Sequence, residues 1–414
     1  MQDAPPLLFN PLDPAFRIDP YSVYARLRAE APIYQAPFGG WVLSRYADCV
    51  AVLKDPHASS DFRNSDAFQA FVAEQGIDPN QTVLGGARPF LFLDPPDHTR
   101  LRGLVNKAFT PKVVEGLRPR IQQVVDELLD SVAEQKSMEV IEDFAYPLPV
   151  TVICEMLGVP TEDHETFKEW SRELARSLDP EELLPAEVVE RRQRAVQSFA
   201  EYFTGLIEQR RKTPRDDLLS ALIAAEEAGD KLTGEELLST CILLLVAGHE
   251  TTVNLIGNGV LALLRNPDQL ERLAQDPSLA RSAVEEVLRY DPPVQFTGRV
   301  ALEDIDLGEA TIPKGQQAVL LLASANRDPE VFPEPDRFDI ARADNHHVSF
   351  GFGVHFCLGA PLARLEGEIA FAALAQRLRG LRLLTEAPEY KENIVLRGLA
   401  SLPVGFEAAR SSHG

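Results

Sequence analysis

Cys357 stands in a stretch that leaves the chain around it few choices: Phe350-Gly351-Phe352-Gly353-Val354-His355-Phe356-Cys357-Leu358-Gly359, then Ala360-Pro361-Leu362-Ala363-Arg364. Leu358, Leu362, Leu365, Ile369 and Leu374 recur at roughly helical spacing, which predicts a helix whose N-terminus lies at or just after the cysteine. The N–H groups and positive dipole end of a helix stabilise an anion, and a thiolate is the anion a cysteine can become. Gly351, Gly353 and Gly359 remove side chains where a flat object could press on the backbone.

A thiolate beneath a flat face is how a cysteine serves as the axial ligand of haem iron. The full pattern, F-x-x-G-x-H-x-C-x-G over Phe350 to Gly359, resembles the haem-binding loop of the cytochromes P450, with every fixed position present. The resemblance implies haem b as cofactor, Cys357 as iron ligand, and Phe350, Gly351, His355 and Gly359 as cofactor contacts.

The second constraint is a long apolar helix over 234–266. Thr233 followed three residues later by Glu236 makes a capping box, and Asn266-Pro267 ends the run. About 32 residues rising 1.5 Å each give roughly 48 Å, enough to cross a whole domain. In its middle stand Ala247-Gly248-His249-Glu250-Thr251-Thr252. Glycine costs about 1 kcal/mol against alanine there. A buried carboxylate costs more unless paired, and threonine can bond back and bend the helix. Local rules broken together in a well-formed helix point to function. The string resembles the acid–alcohol segment of the P450 long helix. That implies a groove for dioxygen at Ala247-Gly248, with the Thr251 hydroxyl beside it. Glu250 would relay, through water, the protons that reductive O–O cleavage consumes. His249 reads as packing.

Further motifs follow the same family's order and spacing. In Asp94-Pro95-Pro96-Asp97-His98-Thr99-Arg100-Leu101-Arg102, His98 and Arg102 share one helix face. They resemble, with Arg299, the family's donors to the haem propionates. Glu286 and Arg289 match its E-x-x-R pair, and Arg337, in Phe332-Pro333-Glu334-Pro335-Asp336-Arg337-Phe338, fits the third place of that structural triad. Phe90, Leu243, Val246, Val294, Phe296, Thr297 and Ile394 are expected to line the substrate pocket. Residues 55–90, with Phe62, Phe68, Phe71 and Leu84, read as a pocket-wall loop. Residues 161–212 read as two amphipathic helices around the break from Asp179-Pro180 to Pro185, and the resemblance implies that they form a lid over the substrate. Thr110-Pro111 starts a long amphipathic stretch, in which Leu117, Ile121, Val124, Val125, Leu128, Leu129 and Val132 make one apolar stripe.

The remaining composition excludes partners more than it names them. A net charge of −22 repels nucleic acid. Cys49, Cys154, Cys241 and Cys357 show no paired spacing, so a reducing cytoplasm is expected. The run Leu237–Ala247 is shorter than the ~20 residues that span a bilayer. The fold expected is mainly α with small β-sheets, one P450 domain over 1–414, with its haem-ligand loop at 350–364.

The function expected is a haem–thiolate monooxygenase. It would insert one oxygen atom from O2 into a C–H bond of an apolar small molecule, with electrons from NAD(P)H through ferredoxin reductase and ferredoxin. A basic patch of Arg100, Lys107, Lys112 and Arg364 would meet an acidic ferredoxin. The family group resembled oxidises macrolides, terpenoids and fatty acyl chains. The segment 239–258 resembles the biotin-pathway member that cleaves acyl chains carried on acyl carrier protein. Two readings compete with this one. A peroxide-using P450-like enzyme needs no Glu250–Thr251 pair. A zinc site on His346, His347, His355 and Cys357 would need side chains that alternate on an extended segment to converge.

Overall fold

The computed structural model describes residues 9–36, 39–76, 78, 88–160, 163–227 and 232–409. Leu84 of the expected pocket wall lies outside them. The long helix runs Gly234–Arg265. Thr233 and Glu236 close the capping box reciprocally, which fixes where it starts. Among the described residues it is the one helix long and apolar enough to cross a membrane, but most of it is buried by the rest of the chain. It is therefore the core's axis. Against it lie Pro147–Leu157, the two helices His164–Ala175 and Ala186–Lys212, and the cysteine helix Ala360–Arg377.

Small residues decide how closely these rods approach. A Cβ on Gly259 would lie 2.2 Å from the Phe371 ring, and one on Gly367 would lie 3.5 Å from Leu255. The long helix and the cysteine helix are thus in close contact at 255–259 and 367–371. Farther along, Ala247 and Cys357 are open to solvent. The slot that the family resemblance expects for haem would lie between those two open positions.

A five-stranded sheet flanks the helices in the order Ile33–Gln35, Trp41–Leu43, Gln317–Leu320, Thr297–Ala301, Ala58–Ser59. All its pairings are antiparallel except Trp41–Leu43 with Gln317–Leu320. Its fourth strand carries Arg299 opposite Ala318. A three-stranded sheet joins Arg382–Leu383, Pro403–Gly405 and Ser137–Glu139.

Three local expectations are corrected. Residues 55–90 hold a helix, Asp66–Gln75, whose start is capped by Ser65 accepting from the Phe68 N–H. The stretch after Thr110 is two helices, Pro111–Glu115 and Arg118–Val132, because the chain turns at Gly116-Leu117. The third concerns the buried ion cluster. Glu286 and Arg289 are fully buried and bidentate, both contacts at 2.8 Å. Their third member is Arg342, whose Nε donates to both Glu286 oxygens at 3.1 and 3.3 Å. Arg337 turns outward to Glu334 and contributes only its carbonyl, which accepts from Arg289 and Arg342. An arginine five residues farther on reaches the carboxylate because the loop folds back over it.

The cost of losing either arginine should differ sharply. Arg342→Met strips a charged donor from a buried carboxylate and should cost about 2–3 kcal/mol. Arg337→Met removes an exposed ion pair and should cost less than about 1 kcal/mol. Urea denaturation of the two variants measures the difference, and equal midpoints would restore Arg337 to the triad.

Candidate active site

The cysteine loop is built from backbone turns. The Gly351 N–H donates to Val348, the Phe356 N–H to Gly353, and the Cys357 N–H to the Phe350 carbonyl at 2.9 Å. Gly351 and Gly353 have φ near +69° and +68°, which side chains resist, and a Cβ on Gly353 would press on the Leu53 carbonyl at 3.1 Å. The loop delivers Cys357 three residues ahead of the helix Ala360–Arg377, with its thiol reachable from solvent although it lies deep in the molecule. Burial pushes that thiol up. The N–H groups of Gly359 and Ala360, together with Arg102 and Arg364, pull the other way without overcoming it. The helix N-terminus alone therefore does not supply a thiolate; a bound metal ion would.

Beside the thiol lies a group of donors without acceptors. His98 is buried with both ring nitrogens unpartnered, and its ring sits 4.2 Å from that of His355, whose Nε2 is also unpartnered. Arg299 donates only to its own neighbourhood, Thr297 Oγ1 and the Gly298 carbonyl, and Arg102 to the Phe356 carbonyl. Burial lowers Arg299 to about 10. Burial, with Arg299, His98 and Arg102 nearby, lowers His355 to about 3. Among the described residues none of the four forms an ion pair, and Asp94, the carboxylate that acts on Arg299, is engaged by Ser59 and Ser60. Buried donors left this way need an anion. The two propionates of haem b are such anions, and an open cysteine lies next to them. The residues present fit the cofactor.

On the other side of the slot, Leu243, Ala247 and Thr251 recur every four residues and are the less buried positions of a buried helix, so they form one open stripe. Thr251 Oγ1 donates to the Ala247 carbonyl at 3.1 Å, which leaves its lone pairs facing outward. Gly248 does not share the groove: a Cβ there would lie 2.7 Å from Ile153, so this glycine serves contact with the helix Pro147–Leu157. Glu250 is buried and turned away from the stripe. Its Oε2 lies 3.2 Å from Lys391 Nζ, and its Oε1 lies 3.7 Å from His249 Nε2. Burial raises its pKa, but Lys391 and His249 outweigh that and hold it low. His249 is packed against Tyr146, with Nδ1 at the Leu245 carbonyl.

The expected pocket residues fall into two groups. Phe296 and Ile394 share a cluster that Val294 packs against, and Val294 also bridges to Leu396. Phe90 and Val246 belong to the main core, with Leu243 packed on it. Thr297 is half-buried and holds Arg299. The basic patch shrinks: Arg100 is paired with Asp97 and Glu236, and Arg364 with Glu285, leaving Lys107 and Lys112 exposed without an ion pair among the described residues. The zinc alternative has no convergent ligand set among the described residues, and His347 bonds Glu285.

Two acidic or basic groups near the site escape a reading by motif. Lys391 lies about 140 positions from Glu250, and nothing local in the sequence announces the pair. Glu366 could have been found: it is an acid between Leu365 and Ile369 on the apolar face of the cysteine helix. It is fully buried near Thr252 of the long helix, and burial raises it to about 8, so it carries a proton at neutral pH.

Comparison with known proteins agrees with this geometry. Residues 41–397 match the family described as Cytochrome P450. The chain is 45% identical over 404 residues to the biotin biosynthesis cytochrome P450 of Bacillus subtilis, covering 95% of this chain and 97% of that one. Ligand-free CYP164A2 of Mycobacterium smegmatis superposes with a TM-score of 0.89 at 48% identity, over 96% of this chain and 99% of that one. P450BioI in complex with hexadec-9Z-enoic acid ligated acyl carrier protein gives 0.87 at 43%, over 95% and 99%. With the cysteine loop, the donor cluster and the long helix in place, and a match along nearly its whole length, this chain belongs to the cytochrome P450 family of haem b monooxygenases.

Proposed function

We propose that this monooxygenase works in the cytoplasm on an apolar acyl-type small molecule and takes its electrons from NAD(P)H through a ferredoxin reductase and a ferredoxin. The P450BioI complex extends the reading to an acyl chain presented by acyl carrier protein. Bound in the slot, haem supplies reductive activation of O2 and transfer of one oxygen atom to a C–H bond, the other leaving as water.

The chain's own residues divide the remaining work. His98, Arg102, Arg299 and His355 hold the propionates, and Cys357 holds the iron, with Phe350, Gly351 and Gly359 shaping the loop beneath. Thr251 presents an oxygen to the slot from the turn that begins at Ala247. Glu250 moves protons toward Thr251 from its buried pair with Lys391. Val294, Phe296 and Ile394 form the inner wall against the substrate, and residues 161–212 form the lid. The observation that carries this reading is the contrast between neighbours: Thr251 is open to the slot, while Glu250 is buried, charged and linked to Lys391. A peroxide-using enzyme needs no such proton supply.

A ferredoxin would dock on the cysteine side: Lys107 and Lys112 are exposed, and so are the apolar side chains Val113, Val354 and Phe356. That combination suits an acidic partner with an apolar centre.

Three outcomes test these assignments. Cys357→Ser should abolish the long-wavelength Soret band of the reduced, carbon monoxide-treated holoenzyme and lower turnover at least about a hundredfold; an unchanged spectrum would refute the ligand. Lys107→Glu with Lys112→Glu should raise the ferredoxin KM about five- to tenfold, and less so at high salt. An unchanged KM would remove the patch.

Lys391→Met leaves Glu250 buried without its cation, so its pKa should rise above the ordinary carboxylate value. In the native protein the lowered pKa contributes stability above pH ~4.3 that is lost as pH falls through the folded value. In the variant Glu250 takes up a proton on folding. Its deficit, about 3 kcal/mol at pH 8, should therefore shrink as pH falls toward 5. Denaturation from pH 8 to 5 reads this, and a deficit constant across that range would dissolve the pair.

A further inference from the structure

Asp179 has no part in the roles assigned so far, yet it is almost completely buried where the two lid helices part. His164–Ala175 ends just before it and Ala186–Lys212 begins after it. Its Oδ1 accepts the backbone N–H groups of both Ile394 and Val395, each at 2.9 Å. Its Oδ2 accepts from Arg176 Nε at 2.8 Å. Leu178 and Leu184, on either side of the break, pack in the same cluster as Phe296, Ile394 and Val395.

The turn that Asp179 grips is held from its other side by the pocket strand. The Gln295 N–H donates to the Val395 carbonyl at 3.0 Å, the Arg397 N–H donates to the Pro293 carbonyl at 2.7 Å, and Val294 bridges Leu396. Val395 therefore gives its N–H to the lid and its carbonyl to the wall that carries Phe296. One carboxylate accepting two successive amides can grip a turn without the lid segment having to become a strand, and its charge strengthens both bonds. A side chain placed only to cap its own helix would bond its neighbours in sequence; this one reaches more than 200 positions ahead.

We propose that Asp179 is a positioning residue for substrate selection: it fastens the Ile394–Val395 turn to the break between the lid helices and so sets how long an apolar chain the pocket accepts. The proposal rests on the reading of 161–212 as lid and of Ile394 as pocket wall.

The test uses holoenzyme carrying Asp179→Ala, Asp179→Asn and, as a destabilised control remote from the turn, Arg342→Met. Amide hydrogen exchange over 390–397 should quicken about a hundredfold in Asp179→Ala and remain near native in the other two, since asparagine keeps an acceptor for both amides. Binding of saturated fatty acids from octanoic to hexadecanoic acid, read by the haem spin-state spectrum, should weaken tenfold or more for the longest chains in Asp179→Ala. The shortest should change little, and Asp179→Asn should restore the native length dependence. Unchanged exchange at 394 and 395 would overturn the latch. Faster exchange with a native length dependence would show that the turn does not select chain length. No response of the native protein to any chain would overturn the acyl reading, and the proposal with it.

Discussion

Two adjacent carboxylates on one helix, Glu285 and Glu286, hold the ground on which the cysteine loop stands. Glu286 is fully buried and satisfied by Arg289, Arg342, the Asp339 N–H and Asn345. It thereby pins the irregular chain after 333 against the helix Ala280–Tyr290. Glu285, one residue earlier, holds His347 and Arg364, and it is drawn down to about 2 against the pull of burial. Arg364 lies in turn over the Phe350 ring at 4.6 Å. Asn326 and Ser349 close the remaining gap through the Val348 N–H and the Leu288 carbonyl. Loops of this kind carry no regular hydrogen bonding of their own, so a loop that must offer a sulfur at a fixed place borrows its rigidity from buried charge.

The cost of that arrangement is paired with a second one nearby. His98, His355, Arg102 and Arg299 are clustered without an anion, and each is shifted toward its neutral form. A fold rarely buries donors in this state unless something else completes them. The thiol of Cys357 is likewise shifted toward its neutral form. One ligand carrying two carboxylates at its edge and a metal at its centre would remove both shifts together. With these residues as its proposed holders, the cofactor would belong to the electrostatic balance of the fold as well as to its chemistry.

How far the sequence reveals this depends on whether a residue's partner is near in the chain. The long helix, its capping box, the helix after Cys357 and the Glu286–Arg289 pair are all written within a few residues of one another, and the residues alone place them. The helix Asp66–Gln75 was not visible because its apolar side chains show weak periodicity, and its start depends on one serine cap. Arg342 and Arg337 are equally arginine to a motif; the path of the loop chooses between them. Gly248 shows a subtler limit. A glycine in that helix marks a close approach, but only the fold says that Ile153 makes it and not a ligand. Lys391 and Asp179 gain their meaning from turns that return from the far end of the chain.

Those last two residues bear on one short segment. Lys391 opens the turn whose Ile394 and Val395 amides are held by Asp179, and the Lys391 N–H donates to the Gly398 carbonyl across its base. Residues 391–398 therefore touch the buried acid of the long helix, the proposed pocket wall and the break between the helices His164–Ala175 and Ala186–Lys212. A rearrangement of the proposed lid reaches the long helix directly, since His164–Ala175 and Ala186–Lys212 pack on it and Arg172 of the first acts on Glu250. The turn is a second route, since it carries both Ile394, held by Asp179, and Lys391, paired with Glu250. In water an ion pair tolerates a small shift at little cost, but in buried surroundings its energy depends steeply on distance. The physical consequence is that the cation paired with the buried acid and the seating of Ile394 share one short support.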